Sequence, residues 1–210
     1  MKLNAPRLCT LGEAGVPALV WDVAPACRAL SSSVLGGGLG LRHWVLNAQV
    51  DAGYARTDPA LHLAELAHDA GCRGPGVGFL TAASVDRWTS GRDGGVEACA
   101  TVGLRHPEWA ATDATEATQL AAPTVGTINL VVFVPVPLSD AAMVNAVATA
   151  TEAKVQALFE AGVDGTGTAS DAVCVLAPLD GEEEPFCGPR SRIGSALARA
   201  VRDAVGRGVP

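Results

Sequence analysis

The sequence predicts a layered α+β or mixed α/β fold, in which a largely buried β-sheet is packed by about three helices. Three observations support this class. Short apolar runs dominate the first two thirds of the chain, three longer segments carry helix signals, and no linker rich in Pro, Gly or Ser divides residues 1–210. We therefore expect a single domain. Its core is expected to be mainly Val, Leu and Ala, because only 4% of the residues are aromatic.

Six runs are predicted to be strands: 17–21, 42–47, 76–80, 97–104, 128–134 and 170–177. The run 128–134 is the clearest, because it is nearly all apolar and rich in β-branched residues, as expected for a strand buried on both faces. These patterns predict the strands without predicting their order in the sheet.

Three helices are predicted, over about 58–70, 139–162 and 190–205. Asp58 is the expected N-cap of the first helix, with Pro59 at the first helical position and Gly71 just beyond its end. Ser139 is the expected N-cap of the second helix.

Composition and charge exclude several classes of protein. A net charge of −7 without a basic block argues against nucleic-acid binding, and 49% hydrophobic residues argue against disorder. The most apolar run, 130–138, contains two prolines and is far shorter than the roughly 20 residues of a membrane-spanning helix. The first residues do not resemble a signal peptide, so we expect a soluble, cytoplasmic protein. The sequence carries no signal of oligomeric state, and a homo-oligomer stays open.

Neither the cysteines nor the histidines indicate a metal site. The six cysteines are spread singly along the chain, and the four histidines show no metal-ligand spacing. No Gly-x-Ser-x-Gly motif is present either, so the familiar serine-hydrolase and metalloprotease classes fit poorly. We expect no resident metal and no cofactor.

The second predicted helix carries a polar stripe at spacing i, i+4, i+7, i+11, formed by Asn145, Thr149, Glu152 and Gln156. Neutral amides and hydroxyls surround one carboxylate, whereas a stripe that merely faces solvent is usually richer in charge. A solvent-facing stripe is nevertheless the alternative interpretation. Lys154 lies two positions after Glu152, so the two side chains diverge by about 200°.

Two glycine-rich loops could approach a ligand closely. The segment 165–171 combines glycines with hydroxyls and the Asp171 carboxylate, and 31–38 combines three serines with three glycines. Ordinary turns look similar, so this remains the alternative for both segments. Asn129, near the start of the most buried strand, must be hydrogen-bonded either within the fold or to a ligand.

Taken in order, these segments resemble the adenosylcobinamide amidohydrolase family over about residues 31–194. The resemblance rests on a series of motifs: Ser31-Ser-Ser with the glycine cluster, Asn47-Ala-Gln-Val50, Tyr54, Asp58-Pro59, Gly78-Phe-Leu-Thr-Ala-Ala83, Thr101-Val-Gly-Leu104, Pro107, Thr127-Ile-Asn129, Asn145-Ala-Val147, Thr151-Glu-Ala-Lys154, Gly165-Thr-Gly-Thr168, Asp171, Gly188 and Ile193-Gly194. This sequence departs from the family pattern at Gly36 and at the residues that follow Gly188.

The resemblance implies hydrolysis of the amide that joins aminopropanol to the corrin ring, converting adenosylcobinamide to adenosylcobyric acid. The only partner it implies is this small-molecule corrinoid, whose cobalt belongs to the substrate. The implied catalytic residues are Glu152, Lys154, Asn129, Asn145 and Asp171. The implied substrate-binding residues are Ser32, Ser33, Gly37, Asn47, Thr81, Thr101, Thr127, Thr166, Gly167 and Thr168.

Two mechanisms remain open from the sequence. In the first, Glu152 is the general base for water or the proton shuttle. Asn129, Asn145 and the N–H groups of loop 165–168 bind the oxyanion, and Asp171 orients Lys154 or a loop hydroxyl. In the second, Thr166, Thr168 or Ser32 attacks the amide directly and Lys154 activates it. A corrinoid carrier without turnover and an amidase for another amide are the alternative functions.

Overall fold

A computed structural model describes residues 4–111 and 126–210 of the chain. Within these ranges it contains one eight-stranded mixed sheet and three α-helices, which confirms the predicted fold class. The strands are β1 (Arg7–Leu11), β2 (Val16–Ser31), β3 (Gly38–Gln49), β4 (Val77–Thr81), β5 (Thr89–Asp93), β6 (Val96–Val102), β7 (Ile128–Phe133) and β8 (Ala172–Ala177). The helices are α1 (Pro59–Asp69), α2 (Asp140–Glu160) and α3 (Arg192–Gly208), with a 3₁₀ turn at Val85–Arg87.

The sheet order is β4-β3-β2-β8-β7-β6-β5, and β1 pairs with the first part of β2. The pairs β3–β4 and β7–β8 are parallel, and the other pairs are antiparallel. Because of these directions, β7 and β8 begin at the same edge of the sheet at which β2 and β6 end. We call this edge, formed by residues 31–32, 101–102, 127–129 and 170–173, the site edge.

Strand β2 is 16 residues long and belongs to both halves of the sheet. Its residues 18–22 pair with β3, and residues 28–31 pair with both β3 and β8. The register shifts between Asp22 and Cys27. The strand thereby joins the half formed by β1, β3 and β4 to the half formed by β5–β8.

Three apolar layers hold the curled sheet and its helices together. Along β7, Leu130 and Val132 pack in one core with residues of α2 and α3, whereas Val131 and Phe133 face the opposite side. That opposite side shares a core with Trp21 of β2, which shows that the two halves of the sheet fold onto each other. A third core lies beneath α1. Successive side chains along a strand point to opposite faces of the sheet, so these apolar strands bury both faces.

The helix predictions hold, apart from one cap. The Ser139 hydroxyl accepts a hydrogen bond from Ala142 N at 3.1 Å, as expected of an N-cap. Pro59 begins α1 and Asp58 is its N-cap residue, as predicted, but the Asp58 side chain makes no capping hydrogen bond. The Asp58 carboxylate instead accepts two hydrogen bonds from Arg56, both at 2.8 Å, because this guanidinium offers a bidentate partner.

The strand predictions were incomplete. Strands β1 and β5 lie outside the predicted runs, and β2 continues for ten residues beyond the predicted end at residue 21. Polar residues and glycine interrupt the apolar pattern in β5, which occupies an end of the sheet order. No helix within residues 4–111 or 126–210 has the length and apolar character needed to cross a bilayer.

Candidate active site

A buried ion pair lies at the site edge. Lys154 Nζ, on α2, pairs with Asp171 Oδ2 just before β8, and the two side chains are only 10% and 14% exposed. Gly167 and Thr168 lie against this pair, and we call the four residues the Lys154 cluster. Charged groups are rarely this buried without a specific partner, and each member of this pair is the partner of the other.

Asp171 holds the other groups of the cluster in place. Its Oδ1 accepts hydrogen bonds from Ile128 N at 2.9 Å and from Thr168 Oγ1 at 2.5 Å. Its Oδ2 accepts one from Thr168 N at 3.2 Å, in addition to the ion pair with Lys154. The carboxylate thus fixes an ammonium on one oxygen and a hydroxyl on the other. The sequence predicts that Asp171 orients Lys154 or a loop hydroxyl, and in the structure it contacts both.

Gly167 is the residue that permits this close arrangement. A Cβ atom at position 167 would overlap both Lys154 Nζ and Asp171 Oδ2. The backbone of Gly167 is also fixed from the other side, because its carbonyl accepts a hydrogen bond from Glu108 N at 2.8 Å. The absence of a side chain therefore lets the loop backbone lie directly against the ion pair.

Thr166 has a different environment from Thr168. Its backbone N–H donates to Glu108 O at 2.8 Å, and its Oγ1 accepts from Ala110 N at 2.9 Å. The Thr166 hydroxyl is therefore engaged in holding segment 108–110 against the loop. Sequence reasoning missed this segment as a neighbour of the site, because the pairing joins residues nearly 60 positions apart.

A second polar group lies in the core between the two halves of the sheet. Asn47 Nδ2 donates to Thr101 Oγ1 at 2.9 Å, and Asn129 Nδ2 donates to Asn47 Oδ1 at 2.9 Å and to Leu80 O at 3.0 Å. We call Asn47, Thr101 and Asn129 the amide network. Three strands separate β3 from β6 in the sheet order, so the network forms only because the sheet curls.

The amide network settles which atoms of Asn129 remain available. Both hydrogens of its Nδ2 are donated to protein acceptors. Its Oδ1 is buried and has no hydrogen-bond partner among the described residues. The sequence predicts that Asn129 donates a hydrogen bond to the oxyanion. In this arrangement both of its N–H hydrogens are already used, so Asn129 can only accept a further hydrogen bond.

The serine-glycine loop lies at the end of β2. Ser32 Oγ accepts a hydrogen bond from Val173 N at 3.1 Å, and the Ser33 hydroxyl donates to Leu35 O at 2.8 Å. A Cβ atom at Gly37 would overlap the Ser33 carbonyl oxygen, so glycine is required for the tight loop. Ser32 therefore reaches the site edge two residues from Asp171, although its hydroxyl is tied to the backbone.

Two further predicted binding residues make local hydrogen bonds. Thr81 Oγ1 accepts from Ala83 N at 3.0 Å, and Thr127 Oγ1 lies 2.7 Å from Ser170 Oγ. Thr127 and Ser170 link the starts of β7 and β8 beside the Lys154 cluster. Thr81 instead shapes the turn after β4.

Glu152 and Asn145 are not brought to the Lys154 cluster. Lys154 lies nine positions from Asn145 and two from Glu152, so both side chains leave α2 on roughly the opposite side. Glu152 is exposed, and Asn145 is half-buried. Thr149, on the same stripe, donates to Cys187 O at 3.0 Å, which places this side of α2 near residues 186–188.

Comparisons with known proteins identify the family. The family model for adenosylcobinamide amidohydrolases matches residues 9–210. An adenosylcobinamide amidohydrolase of Methanosarcina mazei is 28% identical over 188 residues, covering 85% of this chain and 88% of that protein. One of Halobacterium salinarum is 37% identical over 131 residues, covering 60% of this chain and 55% of that protein. The match thus spans little more than half the length of the Halobacterium relative.

Among solved structures, the PH0078 protein from Pyrococcus horikoshii OT3 aligns with a TM-score of 0.49 at 9% identity, covering 99% of this chain and 81% of that one. This likeness is too weak to support a functional comparison. The family match, in contrast, extends over nearly the whole chain and includes every residue of the Lys154 cluster and the amide network. The chain belongs to the adenosylcobinamide amidohydrolase family, a family of hydrolases that act on a carbon–nitrogen amide bond.

Proposed function

We propose that this protein hydrolyses the amide joining aminopropanol to the propionate side chain of the corrin ring in adenosylcobinamide, and so releases adenosylcobyric acid. Membership of the family supports the substrate. The observation that carries the chemistry is the Lys154 cluster, in which one carboxylate holds an ammonium and a half-buried hydroxyl at the site edge. Amide hydrolysis needs a proton acceptor, a positioned nucleophile and a charge that opposes the developing oxyanion.

The reaction adds one water across the amide. A nucleophile attacks the carbonyl carbon, the carbon–nitrogen bond breaks, and the nitrogen leaves with a proton as free aminopropanol. The nucleophile is either water or the Thr168 hydroxyl, whose Oγ1 donates to Asp171 Oδ1 at 2.5 Å. If Thr168 attacks, its proton passes to Asp171 and then to the leaving nitrogen. Water afterwards cleaves the ester and restores the hydroxyl.

Among the hydroxyls that the sequence offers as nucleophiles, Thr168 is the best placed. Thr166 Oγ1 and Ser32 Oγ accept hydrogen bonds from backbone N–H groups, and neither bonds a carboxylate of residues 4–111 or 126–210. Two separate measurements test the covalent version. Enzyme quenched during turnover without hydroxylamine would show a corrinoid-sized mass increase on Thr168, and added hydroxylamine would cleave that ester and release the corrinoid hydroxamate. Turnover without either product would favour direct attack by water.

The role of Glu152 as general base stays a prediction. Its exposed position on the far side of α2 means that it could reach the scissile amide only if the substrate extended around the helix. Replacing Glu152→Gln removes the proton acceptor while keeping the shape of the side chain. Unaltered turnover in this variant would exclude an acid/base role for Glu152.

The proposal needs no resident metal or cofactor, because the cobalt belongs to the substrate. Within the described residues, no group of three or more His, Cys, Asp or Glu side chains could hold a metal ion. A cytoplasmic location is part of the proposal. It is supported by the free thiols of Cys9, Cys72, Cys99, Cys174 and Cys187, since disulfides are rare in reducing compartments.

Incubation of the purified protein with adenosylcobinamide tests the function directly. Liquid chromatography and mass spectrometry should detect free aminopropanol together with a corrinoid that has gained a carboxylate. Adenosylcobyric acid, which lacks the amide to aminopropanol, is the matched control and should release none. The Asp171→Asn variant should release aminopropanol much more slowly, because it loses the charge that holds Lys154.

The outcomes separate the alternative functions. An unchanged corrinoid whose absorbance spectrum shifts on mixing with the protein would identify a corrinoid carrier without turnover. Neither reaction nor binding would contradict the proposed substrate and would favour an amidase for another amide.

A further inference from the structure

We propose that the Lys154 ammonium binds the carbonyl oxygen of the scissile amide and stabilises the oxyanion that forms during hydrolysis. This inference rests on the proposed function and assigns one step of it to a named atom, Lys154 Nζ. The sequence alone suggests other groups for this step, namely Asn129, Asn145 and the N–H groups of loop 165–168.

The Lys154 ammonium has hydrogen-bonding capacity that the protein does not use. A lysine ammonium has three hydrogens to donate. Across residues 4–111 and 126–210, Lys154 Nζ donates to one acceptor, Asp171 Oδ2. The side chain is 10% exposed, so it is largely shielded from solvent without being sealed off from it. A buried cation with two unused donors is a ready binding site for an oxygen that carries partial or full negative charge.

The other hydrogen-bond donors that the sequence suggests for the oxyanion are occupied or distant. Both Nδ2 hydrogens of Asn129 are donated within the amide network. Asn145 leaves α2 on the side opposite Lys154. The asparagines are therefore unable to serve an oxygen at the Lys154 cluster in this arrangement.

The backbone N–H groups of loop 165–168 are engaged within the protein. The N–H groups of Gly165, Thr166 and Thr168 donate to Val163 O, Glu108 O and Asp171 Oδ2 respectively. Gly167 forms an antiparallel bridge with Glu108, and its backbone lies directly against Lys154 Nζ. The loop backbone is thus engaged with Glu108, Val163 and Asp171, and the proposal assigns the oxyanion to the ammonium alone.

The Asp171 carboxylate also determines where the reacting carbon would lie. Lys154 Nζ and Thr168 Oγ1 are held on the two oxygens of the same carboxylate. A carbonyl whose oxygen lies at Nζ therefore has its carbon next to the Thr168 hydroxyl, or next to a water bound there. Asp171 in this scheme positions both groups and, if Thr168 attacks, also carries its proton to the leaving nitrogen. Lys154 is a catalytic residue that contacts the substrate.

Substitution Lys154→Met tests the inference, because methionine keeps a long side chain and removes all donors. We expect kcat to fall by roughly 10²–10³, as when an oxyanion donor is lost. Affinity for adenosylcobinamide, measured from the corrinoid absorbance, should change by less than about threefold, because the interaction strengthens only as charge develops. Affinity for adenosylcobyric acid should fall by about tenfold or more, since its carboxylate loses a charged hydrogen bond.

A double variant, Lys154→Met with Asp171→Asn, controls for folding. The single variant leaves the Asp171 carboxylate buried without its cation, whereas the double variant removes both charges. If both variants are folded by circular dichroism and lose product affinity to the same extent, that loss belongs to the missing donors and not to an unpaired buried charge. The kcat comparison uses the single variant only, because Asp171 also holds Thr168. Unchanged product affinity in the folded variants would overturn the inference.

Activity of the wild-type protein distinguishes a failure of the proposed function from a failure of the oxyanion role. If it releases no aminopropanol from adenosylcobinamide, the proposed function is wrong and the role of Lys154 falls with it. If it is active and Lys154→Met keeps kcat within about threefold, only the oxyanion role is refuted.

Discussion

Replacing Gly167→Ala should damage the candidate site through a single methyl group. The Cβ atom would overlap Lys154 Nζ and Asp171 Oδ2, two atoms that form the buried ion pair. Both atoms lie at the ends of side chains, so the strain is relieved when the pair separates. The backbone of residue 167 is outside the left-handed region and accepts alanine, so the expected effect comes from this contact alone.

The expected loss in the free energy of unfolding can be estimated from two known effects. Overpacking a well-packed position costs about 1–3 kcal/mol, and complete loss of one partner from a buried ion pair costs about 3–5 kcal/mol. The pair is pushed apart but keeps both members, so we expect the free energy of unfolding to fall by about 2 kcal/mol. For a chain of this length, that corresponds to a decrease in Tm of roughly 4–8 °C. Displacing Nζ by about an ångström should also lower kcat by about 10²-fold.

Thermal unfolding and aminopropanol release, measured on the same preparations, check both numbers. Gly206→Ala is the matched control, because a Cβ atom there meets no heavy atom within 4 Å and position 206 lies in α3. That control should be stabilised by about 0.5–1 kcal/mol, because alanine favours a helix more than glycine does. A Gly167→Ala variant that keeps both wild-type Tm and wild-type kcat would refute the close packing described for the Lys154 cluster.

Three further predictions concern the core and the metal content. Asn47→Ala should lower the free energy of unfolding by about 2–5 kcal/mol in denaturant titrations, because it leaves buried atoms of Asn129 and Thr101 without partners; a loss below about 0.5 kcal/mol would contradict the amide network. Burial raises the pKa of Cys174 to about 12 and that of Cys99 to about 11. The folded protein therefore keeps protons that the unfolded chain releases from about pH 9. Each thiol should lower the free energy of unfolding by about 1.4 kcal/mol per pH unit between pH 9 and 11. A free energy of unfolding that stays constant over this range would contradict the raised thiol pKa values. Dialysis against EDTA should leave aminopropanol release unchanged, and activity lost to the chelator would contradict the metal-free proposal.

Local signals predicted the helices well, because helix ends depend on neighbouring residues. Ser139 caps α2 as expected, and the spacing of Lys154 and Glu152 on that helix correctly predicted that they diverge. Asp58 occupies the N-cap position as expected, but its carboxylate binds the nearby Arg56 guanidinium and no helix N–H group, which is a contact that residue preferences do not include. The end of β2 was missed because the strand continues through a register shift at residues 22–27.

The candidate site was predicted only in part, because it depends on which strands become neighbours. The contact between Lys154 and Asp171 joins a helix to the loop that follows it, and the sequence suggested it. The amide network requires the sheet to curl until β3 meets β6, and no local pattern specifies this curl. For the same reason, the sequence indicated that Asn129 must be hydrogen-bonded but not that both its hydrogens would be used inside the protein.

The position of β2 has a consequence for folding during synthesis. Residues 28–31 complete their hydrogen bonding only when they pair with residues 174–177, about 145 positions later in the chain. The ribosome must therefore release most of the polypeptide before the two halves of the sheet can join, and until then this part of β2 exposes an unpaired edge. Such long-range pairing slows folding and leaves this edge open to incorrect pairing until β8 arrives.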